Sequence, residues 1–148
     1  MAATFESRLI AVTKATDEAL AKAAEIIGGM LETKAKQYIT EGVYTNDSHG
    51  WYIRTGNLRN SITHKVEQEE NATTAIVGSA VEYAPYVELG TGIYADMGGR
   101  QTPWRYQDKN GNWHTTRGMP ARPYLRPALE NHIKDYQDVL AEVLKDIS

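Results

Sequence analysis

Between about Thr4 and Glu41, the apolar residues Leu20, Ala24, Ile27, Leu31, Ala35 and Tyr38 return at spacings of three and four. That period puts one apolar stripe on one long helix, and the rest of the chain has to fold so as to cover it. Gly28 and Gly29 lie inside this helix. Each glycine costs about 1 kcal/mol relative to alanine in a helix interior, so the pair predicts a bend, a close packing contact or a break. Gly42 is placed to stop the helix. At the other end, Leu129, Ile133, Tyr136, Leu140, Val143 and Ile147 follow the spacing 4, 3, 4, 3, 4. They predict a second amphipathic helix with Pro127 in its first turn.

Between the two helices the period falls to two. SITHKVEQ puts Ile62, His64 and Val66 on one face, TTAIVGS is rich in β-branched residues, and EENA between them offers a turn, so residues 61–79 read as a β-hairpin. Glu69 and Glu70 are its charged tip. WRYQDKNGNWHTT reads as a second hairpin, with Asn110-Gly111 as the turn, Trp104 and Tyr106 on one arm and Trp113 on the other. A short helical turn begins near Pro85 and ends at Gly90. The expected fold is α+β: a small, mainly antiparallel sheet of two hairpins packed against a long N-terminal helix and a C-terminal amphipathic helix. At 148 residues and 41% hydrophobic content, the chain supplies one modest core and is expected to be a single domain, residues 1–148.

There is no cysteine, which excludes disulfides and thiolate metal sites and makes the cytoplasm the expected place of synthesis and folding. The N-terminus lacks the pattern of a signal peptide, and no window approaches the roughly 20 apolar residues needed to cross a bilayer. The net charge of -3 is unevenly placed. Residues 99–127 hold Arg100, Arg105, Lys109, Arg117, Arg122 and Arg126 against Asp108 alone, so this stretch carries +5 and the remainder -8.

Sites of chemistry are hard to assemble from this chain. VEYAPYVELGTG (81–92) ends in glycines, but no GxxxxGK[ST] string exists, and GTGIYADMGG fails GxGxxG because Ala95 stands where the third glycine belongs. The glycines fit positive φ better than a phosphate. His49, His64, His114 and His132 are scattered without a recognised zinc spacing, so no metal and no cofactor is expected. Asp47, Ser48 and His49 have the residue types of a hydrolytic triad, yet near neighbours in a polar loop do not converge on one atom. Glu82 and Glu88 are placed to pair with nearby arginines. An enzyme would have to gather Glu82, Glu88, Asp96 and His114 from afar.

The basic stretch is more informative. Its cations alternate with Trp104, Tyr106, Trp113 and Tyr124, which are the materials for gripping nucleic acid by phosphate contact and base stacking. They are equally the materials of a protein interface. The overall acidic balance argues against a dedicated DNA-binding protein, although a local strip could still line a channel.

RTGNLRNSI (54–62), YAPYVELGTG (83–92) and PARPYLRPAL (120–129), in this order and ahead of an amphipathic helix, resemble the neck or tail-completion proteins of tailed bacteriophages, head-tail joining components that also occur in prophages. The resemblance implies a virion protein, made in the host cytoplasm, that forms a ring at the head-tail junction between the portal-connector complex and the tail tube. Its implied partners are copies of itself and the neighbouring connector, tail-terminator or tail-tube proteins, with non-specific contact to DNA in the lumen, and no enzymatic activity. Position by position, it implies that Thr55, Gly56, Leu58, Arg59 and Ser61 mark a strand entry, with Leu58 and Ile62 in the core. Tyr83, Tyr86, Glu88, Gly90, Thr91 and Gly92 would shape a turn. Ala121, Arg122, Pro123, Leu125, Arg126 and Pro127 would fix the approach to the last helix. Leu89 and Tyr124 stand where the family is associated with phenylalanine. Residues 93–119 match no family pattern and are expected to be a long interaction loop, ordered on assembly. The expected interface residues are Arg100, Trp104, Arg105, Tyr106, Trp113, Arg117, Arg122 and Arg126.

Overall fold

The computed structural model describes residues 5–43, 57–95, 98–108, 110–145 and 147. Helix α1 runs unbroken from Phe5 to Tyr38. It does not end at Gly42, because a π-helical turn, Ile39–Val43, carries the chain through that glycine. Ile39 is wholly buried beside Ala35. Burying an isoleucine contributes about 2 kcal/mol, more than the roughly 1 kcal/mol that a helical glycine costs, so the core overrides the stop signal.

A short helix α2 (Asn57–Ser61) leads into β1 (Thr63–Glu69), which pairs antiparallel with β2 (Ala72–Gly78) across a turn at Glu70 and Asn71. Thr55 and Gly56 lie outside the described residues. Helix α3 (Ala84–Leu89) and a 3-10 turn (Gly92–Tyr94) follow. The second hairpin is β3 (Trp104–Gln107) with β4 (Trp113–Thr116). The α+β class is as expected, and the hairpins form two separate two-stranded sheets. The first lies against α1.

The C-terminal helix is divided. Helix α4 (Leu125–Glu130) and helix α5 (Ile133–Lys145) are separated by Asn131 and His132. In a continuous helix the His132 amide would donate to the Ala128 carbonyl; here it donates to the Leu129 carbonyl, and the Tyr136 phenol takes its place on Ala128. The break exposes Leu129 and Ile133 by about half, while Tyr136 stays buried. Both C-terminal helices lie against α1, and the Tyr38 hydroxyl meets His132 Nε2 at 3.1 Å.

The core gathers where the three quoted sequence stretches meet the end of the first helix. Ala35 and Ile39 pack with Leu58 and Ile62, Ala84 and Val87, and Tyr124 and Ala128, with Leu31, Tyr38, Val77, Val81, Tyr83 and Leu125 around them.

Gly28 and Gly29 do not break the helical run, and Gly28 marks a packing site. The imidazole of His64, on β1, lies directly over Gly28, where an added Cβ would come within 2.7 Å of its Cδ2. Its Nδ1 is 2.5 Å from Glu32 and its Nε2 2.7 Å from Glu25, both on α1. Carboxylates only accept, so both ring nitrogens donate and the ring is an imidazolium. The hydrogen bond to Glu32, then that to Glu25, raises the pKa of His64, and the same contact with His64, followed by that with Lys36, lowers that of Glu32.

Two measurements test this contact. Gly28→Ala is expected to destabilise the native protein but to stabilise a His64→Ala background by about 1 kcal/mol, the ordinary helical gain; urea unfolding of the four chains gives the answer, and equal effects in both backgrounds would remove the packing argument. The His64 contribution is complete below its ordinary value of 6.5 and is lost as pH rises through the raised folded value. The Glu32 contribution is complete above 4.5 and is lost as pH falls through the lowered folded value. The stability difference between wild type and His64→Gln should therefore peak between pH 4.5 and 6.5 and shrink on both sides; a difference constant from pH 4 to 9 contradicts the ion pair.

Candidate interaction surface

The stretch VEYAPYVELGTG is joined to the entry of α4 by a ladder of hydrogen bonds. The Arg122 amide donates to the Val87 carbonyl at 2.8 Å, the Thr91 amide to Met119 O at 2.9 Å and the Ile93 amide to Arg117 O at 3.0 Å. The Met119 amide returns to the Thr91 hydroxyl at 2.8 Å. Such close approach requires glycine: a Cβ on Gly92 would overlap the Arg117 carbonyl, and one on Gly118 the Thr91 carbonyl, and both residues have positive φ (61° and 125°). The amides of Gly90, Thr91, Ile93 and Tyr94 are all bonded within the chain, so these donors are not presented to a phosphate as a cradle requires.

Glu88 is the centre of this junction. Its carboxylate accepts from the backbone amides of Tyr124 (2.7 Å), Leu125 (2.9 Å) and Arg126 (2.9 Å), the first turn of α4. The next residue is Pro127, which has no amide proton. One side chain thus satisfies the start of a helix from 36 to 38 residues away, and its negative charge faces the positive end of that helix dipole. Three backbone amides thus order the Glu88 carboxylate. Tyr124 sits beside it, wholly buried, with its hydroxyl donating to the Ala84 carbonyl at 3.1 Å. Burial, with the Glu88 charge second, pushes the phenol up to about 12. The buried phenol is accommodated because its hydroxyl finds that carbonyl.

Residues 93–119 are not a structureless loop. Their described part holds the end of the 3-10 turn and the β3–β4 hairpin, closed at its neck by the Thr91–Met119 and Ile93–Arg117 bonds. Asp108 organises the hairpin turn: its Oδ1 accepts from the amides of Asn110 and Asn112, and its Oδ2 meets His114 Nε2 at 2.8 Å. The His114 bond is the main cause of a lowered Asp108 pKa. Gly111 takes the positive φ (85°) the turn needs.

The two faces of the hairpin differ. Trp104, Tyr106, His114 and Thr116 are half-buried; Tyr106 stacks on His114 with ring centroids 5.3 Å apart, and this face borders a cleft of about 370 Å³ reaching Thr91, Gly118 and Met119. The other face exposes Arg105 and Trp113, and Arg117 continues the alternation just beyond β4. The Arg105 guanidinium lies 5.0 Å from the centroid of Trp113, which is 58% exposed. Arg100, also exposed, lies 5.5 Å over Trp104.

The structure therefore divides the eight expected interface residues. Arg100, Trp104, Arg105, Tyr106, Trp113 and Arg117 belong to the hairpin and its flanks, whereas Arg122 and Arg126 lie at the entry to α4 and take part in the junction through their amides. Of the motif residues, Leu58 is in the core, Arg59 donates to the Thr40 hydroxyl at 3.2 Å, Tyr83 borders the core, and Tyr86 and Pro123 are exposed. Of the four residues an enzyme would have to gather, Glu88 caps α4, His114 is bonded to Asp108 and Glu82 is exposed, while Asp96 lies outside the described residues. Among the described residues, no group of three or more His, Cys, Asp or Glu is placed to hold a metal, and no helix is long and apolar enough to cross a membrane.

Residues 3–90, more than half of the chain, match the model of the HK97-gp10-like family, described as "Bacteriophage HK97-gp10, putative tail-component". The chain belongs to the HK97-gp10-like family. It is a structural phage protein of the tail-component class. No curated protein and no solved structure matches it. The part of this HK97-gp10-like chain that matches spans α1 to α3 and stops at Gly90; the β3–β4 hairpin, the PARPYLRPAL stretch and α5 lie beyond it. Glu88 is thus a residue of the matched part that holds the start of the unmatched one.

Glu88→Ala is expected to lower unfolding stability by about 2 kcal/mol through loss of the cap, with Glu88→Gln falling between because it keeps an acceptor oxygen and loses the charge. Urea unfolding of the three chains decides it, and a Glu88→Ala protein as stable as wild type would show that α4 needs no cap.

Proposed function

We propose that this HK97-gp10-like protein is a ring subunit at the head-tail interface of a tailed phage, joining the portal-connector complex to the tail tube. The observation that supports it is the family assignment of the α1–α3 body, a tail-component body. The β3–β4 hairpin attached to that body gives the reading a contact surface. Its exposed Arg105 and Trp113 have the chemistry of an interface anchor. A ring needs each subunit to bury one surface against a different surface of its neighbour. The neighbouring connector and tail-terminator or tail-tube proteins are the partners of the two ring faces, and the virion is the site of action. The role is architectural and calls for no catalysis.

The stacked Arg105–Trp113 and Arg100–Trp104 pairs also suit a second reading, a nucleic-acid-binding module that grips phosphates and stacks bases. Mass measurement of the purified full chain, alone and mixed with its neighbouring neck and tail-tube proteins, separates the two. A closed oligomer is expected. A chain monomeric in every mixture that retards a DNA fragment at low salt, with affinity falling steeply as salt rises, would favour the nucleic-acid reading.

A further inference from the structure

The two hairpins carry outward faces of opposite charge. On the first, α1 covers the side bearing His64, Val66, Ala75 and Val77, and the opposite side exposes Lys65, Glu67, Glu69 and Ile76, with Glu70 at the turn, so that it carries one positive and three negative charges. On the second, the exposed side carries Arg105, Trp113 and Arg117. Carboxylates two positions apart on one strand stand about 7 Å apart. Arg105 pairs with Thr115, so Arg117 lies on the cross-strand diagonal, at a spacing of about 7 to 8 Å. The two faces are therefore opposite in net charge, and each sets one large apolar side chain beside its charges, Ile76 across from Lys65 and Trp113 against Arg105.

Within one chain the two sets do not meet. Glu67 pairs with Lys65 on its own strand at 2.8 Å, and among the described residues no ion pair joins Glu67, Glu69 or Glu70 to Arg105 or Arg117. With Glu67 balanced by Lys65, Glu69 and Glu70 on the first hairpin and Arg105 and Arg117 on the second have no ion pair among the described residues, and each set supplies the charge the other lacks.

We propose that the Arg105–Trp113–Arg117 face of one copy docks on the Glu67–Glu69–Ile76 face of a second copy of this chain. The contact is between unlike surfaces, so each copy keeps one free face of each kind and the association propagates until it closes. The proposal rests on the ring reading above and assigns it a subunit contact. The same-chain acidic face favours a second copy over DNA as the occupant of the arginines.

The test uses full-length chains in which charge is exchanged: Glu67→Lys with Glu69→Lys, Arg105→Glu with Arg117→Glu, and all four together. Circular dichroism establishes that each is folded, and sedimentation across a concentration series reads assembly. Either pair alone should raise the concentration at half-assembly by at least about tenfold, and the four together should return it to near the wild-type value. A one-to-one mixture of the two paired variants should also assemble, each supplying the face the other has lost. Wild-type assembly should weaken as salt shortens the Debye length from about 10 Å at 0.1 M to about 3 Å at 1 M. Variants that assemble like wild type overturn this contact and leave the ring reading standing. A wild-type chain that stays monomeric alone and with its neighbouring proteins overturns both. Loss of DNA-fragment binding in Arg105→Glu with Arg117→Glu, with assembly unchanged, overturns the contact in favour of nucleic acid.

Discussion

The carboxylate of Glu88 ties the two halves of the chain together. A six-residue helix such as α4 is too short to be stable by itself, since helix nucleation is costly and each end leaves backbone groups unpaired. Glu88 supplies acceptors for three of those groups at once, and Pro127 removes the need for a fourth. With α4 so fixed, Tyr124 and Ala128 reach the core beside Ala84 and Val87. The break after Glu130 then turns α5 along α1, where Tyr38 and His132 meet. The family match ends two residues beyond Glu88, so the interaction that completes the fold lies at the margin of what the family defines.

A second constraint works on the other side of α1. The Gly28 surface admits an imidazole, and the two flanking carboxylates, one turn before and one turn after it, hold that imidazole charged. A hairpin of two strands is marginal in water. Here it gains a register along the helix, because only His64 in this position can serve both glutamates. The glycine pair, a liability for the helix taken alone, becomes the socket into which the hairpin is keyed.

Much of this was legible in the sequence. The period-three-and-four stripe located α1, and the β-branched runs and Asn110-Gly111 located both hairpins, because each signal reflects a local backbone preference. The glycines of VELGTG signalled positive φ for the same reason. What the sequence could not show were contacts whose partners lie far apart along the chain: Glu88 with the start of α4, His64 with Gly28, and Tyr136 with the Ala128 carbonyl. The last of these splits a helix that periodicity alone joins. Gly42 misled because burial of Ile39 outweighs a local stop signal. Asp108, three residues ahead of Gly111, is itself a sequence signal of turn organisation, since an aspartate at that place can accept from the amides that follow it.

The neck formed by the Thr91–Met119 and Ile93–Arg117 bonds separates the second hairpin from the core as a drawstring separates a pouch. Both strands of the neck are fixed by backbone groups and by Gly92 and Gly118, so the side chains beyond it contribute little to holding it closed. Residues at the hairpin tip can thus be changed, lengthened or shortened while the body below keeps its packing. A phage component built this way can vary the surface of one end without renegotiating how it folds at the other.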